Sequence, residues 1–203
     1  MHILFITDNF PPEVNAPASR TYEHCKKWVA EGHDVTVITC VPNFPTGKVF
    51  DGFCNKLMPS KSQLDGINIV RVWSYIVANE GIVRRTLDYI SFMVSACVFS
   101  PIVKKADIVI GTSPQFFSAW AAYFIAKFNR VPFVFELRDL WPESISAVGA
   151  IKNQYILKFL EYLEIFLYKR AKGIISVTES FKKNLVSRGI NKQKIFVITN
   201  GVD

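Results

Sequence analysis

Glycine is absent where a nucleotide-binding fold most needs it. The chain of 203 residues holds 10 glycines, and the first of them is Gly32. A dinucleotide fold places G-x-G-x-x-G in the turn after its first strand, so that backbone can approach a pyrophosphate. The turn Asp8 to Pro17 has no glycine, which argues strongly against an NAD-dependent oxidoreductase. Gly47-Lys48 lacks the earlier glycine and the following Ser or Thr of a P-loop. Gly111-Thr112-Ser113-Pro114 has neither the spacing nor the elbow of a G-x-S-x-G hydrolase. Cysteine is sparse: Cys25, Cys40, Cys54 and Cys97 form no C-x-x-C pair, and His2, His24 and His33 form no H-E-x-x-H. A zinc site is therefore not expected, and the thiols read as free and mostly buried, as in a cytoplasmic protein. Acidic residues are the minority sign, 17 against 24 Lys and Arg, for a net charge of +7. That balance favours anionic partners. Nucleic acid is the least supported of them, because the cations are dispersed and no recognised binding signature is present.

Long hydrophobic runs are also lacking. Met1 to Thr7 is broken too soon by Asp8 and Pro11 to serve as a signal peptide. Tyr89 to Val103, fifteen residues without a charge, falls short of the ~20 residues that span a bilayer, and Pro101 interrupts it. It reads as a buried crossover helix, or as a helix that also rests on a membrane surface. In the second case Arg84 and Arg85 before it, and Lys104 and Lys105 after it, would meet anionic headgroups.

What is present is a regular alternation. Half of the residues are hydrophobic, enough for a real core and for one domain of this length. Short runs rich in β-branched residues predict strands at His2–Ile6, Val35–Thr39, Ile67–Val72, Ile108–Gly111, Phe133–Leu137, Ile174–Val177 and Ile195–Ile198. Their nearly continuous apolar character suits a parallel sheet covered on both faces. Helical spacing joins Ala18, Tyr22, Cys25 and Val29, with Pro17 suited to a first turn. It also joins Ile156, Phe159, Leu160, Leu163, Phe166 and Leu167. A third helix starts near Glu179 with Thr178 as N-cap and stops at Gly189. The prediction is an α/β, doubly wound, mostly parallel sheet of about seven strands, Rossmann-like. Pro42 to Asp65 is left as one long irregular segment.

Two carboxyl-edge loops carry the candidate chemistry. The turn after the first strand opens onto a helix N-terminus at Asn15 and Ala16, where N–H groups favour a phosphate; an ordinary Pro-rich turn is the alternative. The cluster Glu136-Leu137-Arg138-Asp139-Leu140-Trp141-Pro142-Glu143 follows a strand. Its Arg and Asp either hold a phosphate or a sugar hydroxyl, or form an internal pair that fixes a loop. Thr112-Ser113-Pro114-Gln115 either contacts a ligand or caps a helix. The run Lys182, Lys183, Arg188, Lys192 and Lys194 faces either anionic lipid or plain solvent.

The sequence resembles the retaining glycosyltransferases of family 4, which have the GT-B fold. The resemblance is carried by Phe5-Ile6-Thr7-Asp8-Asn9-Phe10-Pro11-Pro12-Glu13, by Glu31-Gly32-His33-Asp34-Val35-Thr36-Val37, by Arg138-Asp139-Leu140-Trp141-Pro142 and by Asn200-Gly201-Val202-Asp203, in that order along the chain. Within the family, Arg-Asp-Leu-Trp-Pro-Glu looks most like the bacterial N-acetyl-L-fucosamine transferases of O-antigen and capsule assembly. Asn15 and Ala16 stand where many members have Gly-Gly, and Arg138 stands where many have His, so the family's histidine role does not transfer. Asp139 matches and carries over as a residue beside the reacting sugar. No D-x-D occurs, in keeping with metal-independent GT-B enzymes. Glu23 and Glu31 have E-x7-E spacing, but both fall on the first predicted helix, and the match is read as chance.

The resemblance implies that residues 1–203 are the acceptor-side, N-terminal Rossmann-like half of a two-domain enzyme, the donor-binding half being absent. The donor would be a nucleoside-diphosphate sugar held mainly by that other half, and no cofactor or metal is implied. The acceptor would be a polyprenyl-diphosphate-linked glycan, on the inner face of the cytoplasmic membrane. Asp139 is the catalytic candidate. Asn15, Ala16, Arg138, Glu143, Thr112 and Ser113 are the candidates for donor-phosphate or acceptor binding. Arg84 and Arg85 are the candidates for membrane contact. The competing reading is a stand-alone, non-enzymatic binding module for a phosphorylated glycan or lipid.

Overall fold

The computed structural model describes residues 1–78, 81–140 and 153–199. Eight strands form one sheet: β1 (His2–Ile6), β2 (Asp34–Cys40), β3 (Ser60–Leu64), β4 (Ile67–Val72), β5 (Ile108–Thr112), β6 (Phe133–Leu137), β7 (Gly173–Ser176) and β8 (Ile195–Val197). Their spatial order is β3-β4-β2-β1-β5-β6-β7-β8. All pairings are parallel except β3 with β4. The α-helices of the described residues are α1 (Ala16–Ala30), α2 (Ile82–Phe99), α3 (Phe116–Asn129), α4 (Gln154–Arg170) and α5 (Glu179–Ser187). The predicted class stands, and each of the seven anticipated strands is present within a residue or two of its expected ends.

The eighth strand is the difference. Ser60–Leu64 lies inside the segment expected to be irregular, and all five of its residues are exposed. It pairs antiparallel at the sheet edge, Ser60 opposite Arg71 and Leu64 opposite Ile67. Asp65 (φ 47°) and Gly66 (φ 80°) make the two-residue turn, both in the left-handed region that a tight hairpin requires. A polar strand with water on both sides leaves no hydrophobic alternation to detect.

Two cores sandwich the sheet. On one face Ile3, Phe5, Val35, Val37, Ile67 and Ile69 pack with Phe10 and with Cys25 of α1. On the other, Leu4, Ile6, Ile38 and Val70 pack with Phe92 of α2, Ala119 and Ala122 of α3, and Leu167 and Tyr168 of α4. Gly111 is needed for this second contact. A Cβ there would meet Ala122 Cβ at 2.6 Å and Ala119 Cα at 2.9 Å, so only glycine lets α3 approach β5 so closely.

The N-caps follow the sequence. Asn15 Oδ1 accepts from Ala18 N–H at 2.9 Å, and Thr178 Oγ1 accepts from Phe181 N–H at 3.1 Å. The apolar helix α2 begins earlier than its uncharged stretch. It starts after Gly81 (φ 77°), so Arg84 and Arg85 belong to the helix itself rather than to a flank before it. It ends at Phe99, where a 3-10 turn, Ser100–Ile102, takes over at Pro101. No helix among the described residues is long and apolar enough to cross a membrane.

Candidate functional site

The strand order reverses at β1. The chain leaves β1 through α1 to β2 on one side, whereas β5, its other neighbour, leads on to β6. In open parallel sheets such a point leaves a crevice at the carboxyl ends, between the diverging loops. The residues that follow β1, β5 and β6 meet there: Asp8 and Asn9, then Thr112 to Gln115, then Arg138 and Asp139.

The β1 exit is tied to the start of α1. Asn15 Nδ2 donates to Asn9 Oδ1 at 2.7 Å while its Oδ1 caps the helix, so the Asn15 side chain serves the turn. Ala16 is exposed at the first helical turn, at the positive end of the helix dipole.

Glu136 organises the β6 side. Its side chain is 2% exposed, and Arg138 Nη2 donates to its Oε1 at 2.5 Å. His24 Nδ1 lies 3.4 Å from the same oxygen, and Arg20 Nη2 lies 3.8 Å from Oε2. Burial alone would push this carboxyl up. His24, Arg138 and Arg20 outweigh burial and hold it at about 2. Arg20 also donates to Thr112 Oγ1 at 3.4 Å, so α1, β5 and β6 are joined through one buried carboxylate.

The sequence-level candidates come together, with different exposures. The Arg138 side chain is only 5% exposed and is directed at Glu136. Ser113 Oγ accepts from the N–H groups of Arg138 at 2.7 Å and Asp139 at 3.2 Å, and Ser113 N–H donates to Glu136 O at 3.0 Å. Thr112 Oγ1 is buried and donates to Ser113 O at 3.0 Å. Thr112 and Ser113 therefore fix the loop that presents Asp139, which itself is half-buried on the rim. Glu143, with Trp141 and Pro142, lies outside the described residues, as do Asn200, Gly201, Val202 and Asp203. Arg84 and Arg85 sit on the exposed start of α2, with Arg85 Nη2 donating to Tyr89 Oη at 2.9 Å.

Three acidic residues beside the crevice were not among the site candidates drawn from the sequence, although Asp8 and Glu13 belong to the motif that carries the family resemblance. Asp8, at the end of β1, has its carboxyl raised to about 6, mainly by burial and in part by Glu13. Asp88 on α2 is likewise raised to about 6, by burial and then by Asp8. Glu13, the acid of the F-P-P-E motif, is buried. Its Oε1 accepts from the N–H groups of Asn43 and Phe44, both at 2.8 Å, which pins the loop after β2. Arg71 completes the clamp by donating to Cys40 O at 3.2 Å and Pro11 O at 2.5 Å. The available signal was placement: an acid directly after an apolar first strand falls at the reversal point of the sheet.

A family model described as Glycosyltransferase Family 4 matches residues 18–203. The chain belongs to glycosyltransferase family 4. It is 22% identical over 207 residues to the putative colanic acid biosynthesis glycosyl transferase WcaI of Escherichia coli (strain K12), covering 98% of this chain and 50% of the relative. Among solved structures it is similar to sucrose-phosphate synthase from Thermosynechococcus elongatus, with a TM-score of 0.68 at 9% identity, covering 100% of this chain and 48% of that one. It is also similar to the catalytic domain of starch synthase IV from Arabidopsis thaliana bound to ADP and acarbose, with a TM-score of 0.64 at 11% identity, covering 100% and 52%. Anabaena Alr3699/HepE in complex with UDP-glucose gives a TM-score of 0.55 at 12% identity, covering 100% and 44%. At these identities the likeness to the three structures is one of fold. The sheet and its flanking helices match those of GT-B glycosyltransferases, and this family 4 chain spans about half the length of the relatives it matches.

Proposed function

We propose that this family 4 chain is the acceptor-side half of a retaining glycosyltransferase of surface-polysaccharide assembly. The observation that carries the reading is the family match over residues 18–203, on a chain that spans half of its relative. The partner half is a second α/β domain that holds a nucleoside-diphosphate sugar. HepE, a neighbour in fold, is described with UDP-glucose, which supports a nucleotide-sugar donor. The relative's description, colanic acid biosynthesis, supports a polysaccharide product.

The donor we propose is an N-acetyl-L-fucosamine nucleotide, on the strength of Arg138-Asp139-Leu140-Trp141-Pro142-Glu143. The acceptor is a polyprenyl-diphosphate-linked glycan of O-antigen or capsule, at the inner face of the cytoplasmic membrane. An acceptor hydroxyl lies in the crevice between the β1 and β5 exits. Asp139, presented by Ser113 and steadied by the Glu136 network, orients that hydroxyl or takes its proton. The oxygen of the acceptor hydroxyl attacks the anomeric carbon as the diphosphate leaves, with retention of configuration. The first turn of α1, at Asn15 and Ala16, faces the charge that develops on the leaving group. No metal or organic cofactor takes part.

The test is a transfer assay with nucleotide-linked N-acetyl-L-fucosamine and a polyprenyl-diphosphate glycan, read by the mass of the lipid product and by the anomeric configuration of the new linkage. Expected are retention with the two-domain enzyme and no turnover by these 203 residues alone. Full turnover by the 203 residues would overturn the half-enzyme reading. Inversion would overturn the mechanism.

A further inference from the structure

The outer faces of three neighbouring helices are apolar and face solvent. On α3, Phe117, Trp120, Phe124 and Phe128 recur at i, i+3, i+7 and i+11, along one side of the helix. On α4, Tyr155, Phe159, Tyr162 and Phe166 recur at i, i+4, i+7 and i+11. Phe128 is 78% exposed, Tyr155 85% and Tyr162 66%. On α2, Val83, Leu87, Val94 and Val98 form a third exposed stripe. The α3 and α4 stripes adjoin, with Trp120 stacked on Phe166 at a ring-centroid distance of 5.7 Å, and α2 lies beside α3 through Tyr89 and Phe117 at 6.5 Å. Scattered exposed apolar residues are ordinary; a face shared by three helices is not.

Among the described residues, the exposed charges beside the aromatic ridge have one sign. Lys127, Lys158, Lys169 and Arg170 flank the aromatic ridge and are exposed. Lys127 Nζ lies 6.0 Å over the Tyr123 ring, and the Arg170 guanidinium carbon lies 5.2 Å over Phe166. The acids of the same helices are directed elsewhere. Glu164 and Glu161 approach Arg188 at 2.8 and 3.4 Å, and Asp88 stands beside Asp8. Aromatic rings with Lys and Arg beside them, on helices that do not span, make the pattern of a surface that lies in a lipid headgroup region. A two-fold contact with a second copy would set these cations against their own images.

We propose that the chain docks on an anionic membrane through this α2–α3–α4 face, with the aromatic ridge of α3 and α4 as its anchor and Arg84 and Arg85 at one border. The helices return from the carboxyl ends of the strands, so Val83, Leu87, Trp120 and Tyr155 lie toward the crevice side. A lipid-linked acceptor would then have a short path from the bilayer to Asp139. That purpose rests on the proposed lipid-linked acceptor; the docking itself does not, and its test uses no sugar transfer.

The experiment is co-sedimentation of the 203-residue chain with vesicles of phosphatidylcholine containing phosphatidylglycerol, against phosphatidylcholine alone. Binding is expected to the anionic vesicles and to fall with salt. Phe128→Ser with Phe159→Ser should reduce partitioning by about tenfold or more, since each ring removed loses buried apolar area. Lys127→Glu with Lys158→Glu changes two exposed side chains and leaves the apolar ridge in place; it should also cost about tenfold or more. Absence of wild-type binding would overturn the proposal, as would binding unchanged in either double variant. Sedimentation velocity showing a dimer that Phe128→Ser with Phe159→Ser dissolves would overturn it in favour of a second copy. Loss of vesicle binding in both double variants, with their urea unfolding midpoints unchanged from the wild type, would support it.

Discussion

Arg138 donates to the carboxylate of Glu136 at 2.5 Å, and the two side chains are 5% and 2% exposed. A pair so enclosed is costly to break from one side, because the surviving charge keeps its desolvation penalty. Glu136→Gln removes the buried charge that Glu136 supplies to Arg138 and Arg20. It should destabilise the domain by about 3 kcal/mol, measured by urea unfolding at neutral pH.

The same carboxylate sets an acid limit. Its folded pKa, about 2, lies below the ordinary 4.5. A depressed carboxyl contributes stability that is fully present above the ordinary value and is lost as pH falls from about 4.5 towards 2. The contribution is of the order of 3 kcal/mol. Urea midpoints followed down this range should fall steeply for the wild type and less steeply for Glu136→Gln. Equal slopes would show that other groups drive acid unfolding.

Asp8 and Asp88 act in the opposite sense. Both carboxyls are raised from 3.8 to about 6, so their contribution is fully present below 3.8 and is lost as pH rises through about 6. Asp88→Asn should therefore stabilise the domain above about 6 and change little below 3.8. Because Asp8 is among the causes that raise Asp88, the substitution should also bring the Asp8 carboxyl down. Carbon-13 NMR titration of the Asp8 carboxyl reads this directly, and an unmoved midpoint would refute the coupling.

These sites also show what a sequence can and cannot disclose. The parallel strands were legible because both faces are covered, so each reads as a nearly continuous apolar run. Ser60–Leu64 was not, because it is exposed on both sides and is held only by backbone pairing to β4. Arg138 and Asp139 were placed at the right edge, but two roles for Arg138 remained open. The choice depends on where Glu136 turns, and strand alternation alone does not say that β6 buries a carboxylate against α1. Asp8 became a candidate only once the order β2-β1-β5 put it at the reversal of the sheet.

Glu13 ties the β1 exit to the loop after β2, and Gly47 seats that loop. A Cβ at Gly47 would lie 2.4 Å from the Ala78 Cα, and its φ of +64° disfavours any side chain. Glu13→Ala removes the acceptor of two N–H groups, at a cost of about 2 kcal/mol or more. Limited proteolysis should then cut within residues 42–58 faster than in the wild type, at unchanged rates elsewhere. Gly47→Ala should reproduce that pattern while leaving the Glu13 acceptor in place.

Ser113 and Asp139 are separable by what each variant leaves intact. Ser113→Ala deprives two backbone N–H groups of their acceptor, those of Arg138 and Asp139. It should cost about 1–3 kcal/mol in stability and lower transfer indirectly, by releasing the loop. Asp139→Asn keeps the shape of a half-buried rim residue, and its stability should stay within about 0.5 kcal/mol of the wild type. If Asp139 orients or deprotonates the acceptor, transfer by the two-domain enzyme should nonetheless fall by about 10²–10⁴-fold, in kcat rather than in donor KM. A loss confined to acceptor KM would make Asp139 a binding group. A fall in stability matching that of Ser113→Ala would make it part of the scaffold.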